Sequence, residues 1–199
     1  VEWHSAADFL TDGLKMSASW STDNGAAKGA TARLENSWGV GATYVTSAGD
    51  TTLTIGGGYG SGDVVTSGTA STSDKAGAHV GVSAVTGDLT VGVGYGNGDT
   101  FKANDAGSTA NTQIDGSVMK AGISYVTGDI TLAIGVTSGE AKDGSFGTAG
   151  TTDDSSDTTG ASVTYAVASG VSAVIGYTQV DRNDEGASTT VGGSAWYVG

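Results

Sequence analysis

Residues 77–99 read GAHVGVSAVTGDLTVGVGYGNGD. Val80, Val82 and Ala84 alternate with His79, Gly81 and Ser83, and Leu89, Val91, Val93 and Tyr95 alternate with Thr90, Gly92 and Gly94. Strict period two marks strands, and a Thr-Gly-Asp between two such runs marks a hairpin turn. The second set of positions decides the environment. A water-soluble sheet alternates apolar residues with charged ones, which hydrate its open face. Here the alternate positions hold little but Gly, Ser and Thr.

The rest of the composition agrees. Among 199 residues there are 35 Gly, no Pro and no Cys, and only 15% are charged. Strong helix formers are scarce, and Gly costs about 1 kcal/mol in a helix interior, so an all-β chain is expected. A net charge of −13, from 21 acidic against 8 basic residues, leaves no basic footprint for nucleic acid. There is no run of about 18 apolar residues, so no membrane-spanning helix is expected.

The hairpin signal recurs. SAGD at 47–50, TGD at 86–88, TGD at 127–129 and ASG at 168–170 each sit between alternating segments, roughly every forty residues. The links between hairpins, about 61–76, 97–116, 138–158 and 181–188, are long and polar. Short turns at one end and long links at the other describe an up-and-down meander. With LKMSASWST (14–22), TTVGGSAWYVG (189–199) and a weaker VEWHSA (1–6) added, about eleven strands in a single domain over 1–199 are expected.

Successive side chains point to opposite faces of a strand. One face then collects Leu14, Met16, Ala18 and Trp20, Leu34, Trp38, Val40, Ala42 and Tyr44, and the equivalent apolar residues of every later segment. It contains no charge. The other face carries Lys15, Arg33, Glu35, His79 and Lys120 among Ser, Thr and Gly. Tyr44, Tyr125 and Tyr165 fall just before short turns, while Tyr59, Tyr95 and Tyr177 fall beside the long links, all on the apolar face. Tyrosines bounding an apolar band of about nine to eleven residues suit a strand that crosses a bilayer, with an aromatic girdle at each interface. Backbone groups in lipid must be paired within the protein, so such a sheet closes into a barrel. The fold class expected is an antiparallel up-and-down transmembrane β-barrel, its Gly, Ser and Thr facing a water-filled lumen. The competing expectation is a secreted or surface-displayed β-protein, structural or adhesive, whose apolar face packs on a second sheet.

On these hairpins the sequence resembles the general diffusion porins of Gram-negative outer membranes, most of all the alphaproteobacterial type. The carriers are ATYVTSAGDTTLTIGGGYGSGD, VGVSAVTGDLTVGVGYGNGD, MKAGISYVTGDITLAIGVTSGE and SVTYAVASGVSAVIGYTQVD. The resemblance implies a barrel of about sixteen strands, of which this chain would supply the C-terminal two-thirds, lacking a few terminal residues and the N-terminal strands. The acidic constriction loop, with any calcium ligand it carries, would then precede Val1. It also implies a homotrimer, for which Ala18, Gly57, Ala161 and Gly193 would give small residues on the outer face.

Lys15, Arg33, Glu35 and Lys120 are the candidate pore-lining residues, because charge on a narrow wall biases which ions pass. The plain alternative is that they are solvated and distant from any constriction. With His4 and His79 far apart, no Cys and no nucleophile elbow, neither a metal centre nor nucleophilic catalysis has a carrier. GGGYGSGD at 56–63 lacks the ending of a phosphate loop. TTDDSSD at 151–157 reads as a solvated external loop. No enzyme activity, metal or organic cofactor is expected. The expected partners are the lipid bilayer of the outer membrane, ions and small hydrophilic solutes.

Overall fold

The computed structural model describes residues 1–23, 32–66, 72–101, 113–141, 154–184 and 189–199. They form one antiparallel sheet of 11 strands in sequence order: β1 (Glu2–His4), β2 (Leu14–Asp23), β3 (Ala32–Ala48), β4 (Thr51–Thr66), β5 (Thr72–Thr86), β6 (Leu89–Phe101), β7 (Gln113–Thr127), β8 (Ile130–Ala141), β9 (Asp154–Ala168), β10 (Val171–Asp184) and β11 (Thr189–Val198). This is the expected meander. Each strand pairs only with its chain neighbours, so β1 and β11 each keep one edge open.

The four short turns are built as their glycines require. Gly49, Gly87 and Gly128 have φ of 61°, 55° and 57° and are each followed by Asp. A left-handed Gly at the first turn position gives the backbone twist that matches paired strands. In the fourth turn the Gly comes second, Gly170 at φ 77°, and a register shift follows between Val171 and Ser172, as a glycine bulge demands. Neighbouring hairpins are also tied at this end. The Val126 amide donates to the Asp88 carbonyl at 2.9 Å and the Ala166 amide to that of Asp129 at 2.8 Å.

The apolar face is bare. Val93 is 61% exposed, Met119 60% and Val80 53%, and nearly every outward Leu, Ile, Val and Tyr of the band is at least a third exposed. Among the described residues no second layer covers this face. Burying a Val, Leu or Ile side chain is worth about 1.5–3 kcal/mol, a gain that a soluble fold would not leave unused over so wide an area. The two-sheet alternative is therefore set aside.

Two expectations need correction. The strands run past the aromatic positions instead of stopping there, so much of the polar links is sheet: Asp63 pairs with Asp74, and Asp99 with Asp115. Beyond a bilayer both faces of a strand meet water, and alternation of hydropathy disappears although the hydrogen-bond ladder continues. Asp154 belongs to one such extension. It opens β9 and is 1% exposed, so TTDDSSD is not wholly a solvated loop; its residues 151–153 lie outside the described set. Gly193, expected on the outer face, pairs with Val180, which pairs with Thr158 and so joins the polar face. Trp196, opposite Tyr177, fixes the parity of β11 and puts Gly193 on the other side.

Candidate pore wall

Cross-strand partners share a face, so the register turns the polar face into continuous rows. One row runs Lys15, Thr43, Gly56, Gly81, Gly94, Lys120, Thr137 from β2 to β8. The next runs His4, Ser17, Gly41, Gly58, His79, Gly96, Val118. A third runs Glu2, Ser19, Gly39, Gly60, Gly77, Gly98. Cations and imidazoles rise from a floor of glycine.

That floor makes the space. The inward positions of β1 to β8 bound a cavity of about 1220 Å³, and Lys15, His79 and Lys120 line it together. Hydroxyl groups lean over the floor where it is barest. A Cβ on Gly41 would lie 3.1 Å from Ser17 Oγ, and one on Gly56 3.3 Å from Thr43 Oγ1. The His79 ring covers Gly58, where an added Cβ would meet Cε1 at 2.8 Å. These three rows hold Gly, Ser, Thr, His, Lys and Glu, with Val118 the one branched apolar side chain among them.

The charges differ in their surroundings. Lys15 and Lys120 are exposed and make no ion pair among the described residues. Glu2 Oε1 lies 2.8 Å from His4 Nε2 at the β1 end. Arg33 and Glu35 sit in β3 next to a bulge: Asn36 has φ 48° and the register against β4 shifts between Glu35 and Trp38. Glu35 pairs with Asp23 on one side and Asp63 on the other. The side chains of Arg33 and Glu35 lie outside the described residues. The bulge interrupts the alternation on which their face was read.

Three charged residues of this face escaped the sequence reading. Arg182 stands in the His4 row, reached through Gly139 and Ser156. Lys75, 8% exposed, is paired with Gly62, and Asp154 joins the Glu2 row through Gly116 and Ala141. The signal was available. Arg182 lies an odd number of residues after Tyr177, and Lys75 an odd number before Val80, which sends both to the face opposite those residues.

On the other side, Tyr44, Tyr59, Tyr95, Tyr125 and Tyr165 are outward and exposed, and Tyr177 is half-buried. Trp38 stacks on Tyr59 at 5.4 Å and Trp196 on Tyr177 at 4.8 Å between ring centroids. The Tyr177 hydroxyl donates to Gln179 Oε1 at 3.3 Å, and Gln179 Nε2 donates to Asp181 Oδ2 at 2.9 Å. Aromatic gives way to amide and then to carboxylate within five positions, a polarity gradient at the end of the apolar band.

A meander with an apolar outer face, a polar inner one and aromatic residues at the band edges defines a transmembrane β-sheet protein of the outer-membrane kind. The sequence matches the Gram-negative porin family over residues 7–185, and the chain belongs to that family; its place is the outer membrane. Among solved structures it is similar to the outer membrane channel DcaP of Acinetobacter baumannii, with TM-score 0.74 at 9% identity, covering 100% of this chain and 61% of that one. It is also similar to Acinetobacter baumannii OccAB4, with TM-score 0.62 at 12% identity over 99% of this chain and 50% of that one. The loop L8 deletion mutant of OmpT, an outer membrane protein of Vibrio cholerae, gives TM-score 0.57 at 18% identity over 100% and 62%. Identities this low speak for the fold alone. The chain spans between 50% and 62% of the length of these three structures. No curated protein matches the sequence.

Proposed function

We propose that this chain forms the wall of a passive, water-filled channel for ions and small hydrophilic solutes, with no chemical step and no cofactor. The observation that carries the reading is the glycine-floored polar face with Lys15 and Lys120 rising from it. Family membership supports it. Lipid covers the outer face, and Tyr44, Tyr59, Tyr95, Tyr125, Tyr165 and Tyr177 anchor the two interfaces. In a bilayer the free edges of β1 and β11 have to be paired, so the sheet works as part of a closed barrel. A homotrimer fits the family reading, with Ala18, Gly57 and Ala161 as small outward residues for close contact. Arg33 and Glu35 complete the proposed set of wall charges.

The test is conductance of the full-length, detergent-extracted protein in a planar bilayer. Stepwise ohmic openings are expected, with ion preference that moves on Lys15→Glu, Arg33→Glu and Lys120→Glu. A protein that stays soluble without detergent and never inserts would overturn the reading.

A further inference from the structure

The chain is strongly acidic, yet its charges are sorted across the sheet. Every Lys or Arg whose side chain is described, namely Lys15, Lys75, Lys120 and Arg182, occupies an inward register position. Described carboxylates lie mostly elsewhere. Asp63, Asp99, Glu140, Asp157 and Asp181 share the outward parity of Tyr59, Tyr95, Val136, Tyr165 and Tyr177, and Asp50, Asp88 and Asp129 sit in the short turns. Among the strand carboxylates whose side chains are described, only Glu2 and Asp154 face inward.

The inward charges do not all act on a passing solute. Lys75 and Asp154 are of opposite sign, both buried, and both already engaged. Glu2 is engaged with His4, and Arg182 has contacts of its own. Arg33 and Glu35, whose side chains lie outside the described residues, carry opposite charges and cancel in the sum. Lys15 and Lys120 remain, exposed and without an ion pair among the described residues. At about 4.8 Å per strand they stand roughly 24 Å apart along the wall. The Debye length near physiological salt is about 8 Å, so each governs its own stretch of water. The outward carboxylates point away on the far side of the sheet and are screened from that water.

We propose that this acidic protein has an anion-preferring wall: Lys15 and Lys120 raise the local concentration of small anionic solutes, inorganic anions and carboxylates, over cations of the same size. The inference rests on the channel reading and names its solute class. A unit charge within a Debye length roughly doubles the local anion concentration and halves that of cations, so each lysine moves the anion-to-cation ratio by about fourfold.

The experiment is the reversal potential of the full-length protein in a planar bilayer under a KCl gradient, repeated with potassium acetate. Chloride and acetate should both outrun potassium. Lys15→Gln and Lys120→Gln should each lower the ratio severalfold, whereas Asp181→Asn, which changes net charge by one unit in the opposite direction on the outward face, should leave it in place. Potassium preference in the unsubstituted protein, or a ratio that responds to Asp181→Asn as strongly as to the lysine changes, overturns the inference and leaves the channel standing. Absence of any conductance overturns the channel reading, and the solute class with it.

Discussion

Lys15 of β2 and Lys120 of β7 stand in a single cross-strand row, with Thr43, Gly56, Gly81 and Gly94 between them. Neither lysine touches the other, and no side chain longer than threonine stands between them on that row. What they share is the water above the glycines. The row couples local sequence to function: glycine is poor strand material, since it has no side chain to pack, and its repeated use here trades ladder stability for open space.

Filling that space should lower conductance before it lowers stability. A Cβ on Gly94 would meet nothing closer than the Val80 carbonyl oxygen at 3.6 Å, and one on Gly81 nothing closer than that of Val93 at 3.5 Å. Gly94→Leu and Gly81→Leu are therefore expected to fold with nearly unchanged urea midpoints in lipid vesicles and to show smaller single-channel steps. Full-sized steps from both variants would place the narrow part of the channel away from this row.

Two turn-side glycines should respond very differently to alanine. Gly87 has φ 55° and open space around the missing Cβ, so Gly87→Ala carries only the left-handed backbone penalty, about 1–2 kcal/mol. Gly13 has φ 80°, and its Cβ would overlap the Val45 carbonyl oxygen, while the Val45 amide donates to the Gly13 carbonyl at 2.9 Å. Gly13→Ala adds a steric clash to the same penalty and should cost clearly more. Equilibrium unfolding of the two variants in vesicles decides it, and equal losses would contradict the packing seen at Val45.

The hairpins, their turns and the outer face were legible because the bilayer imposes them residue by residue. Val80, Val91 and Ile134 each meet lipid or they do not, and the sequence records the answer at every second position. Lys75, Arg182 and Asp154 were harder to place because they stand where water wets both faces, so hydropathy there carries no parity. Arg33 and Glu35 were read by counting through Asn36, and a bulge adds one residue that no composition signal announces. Gly193 failed for a related reason: small residues suit either face, and only its pairing with Val180 assigns it.

Asn36 itself gives a prediction about that bulge. Its φ of 48° is one that Asn tolerates and β-branched residues do not, and its Nδ2 donates to Asp63 Oδ2 at 3.0 Å. Asn36→Val should lose both features and destabilise by about 1–3 kcal/mol, while Asn36→Gly keeps the backbone conformation and should lose less. Denaturant titration of the pair is the check. A valine variant as stable as the glycine one would mean that the left-handed residue is not fixed at this position.

The last prediction separates the two faces of one strand. Val93 is outward, 61% exposed, and lies within the apolar band between Leu89 and Tyr95. Gly92 is its immediate neighbour and points inward, opposite Ser83 and Gly122. A lysine on the lipid face near the bilayer midplane costs about 2–4 kcal/mol, whereas a lysine in a hydrated lumen keeps its water. Val93→Lys should therefore fold poorly into vesicles, and Gly92→Lys, with 3.7 Å of clearance to its nearest neighbours, should fold nearly as the parent does. The comparison uses the same strand, the same added charge and adjacent positions, so net charge cancels, and the difference in strand propensity between Val and Gly, about 1 kcal/mol at most, is smaller than the cost of a charge in lipid. Equal folding of both variants would show that no hydrocarbon contacts the Val93 face, and would remove the membrane from the account.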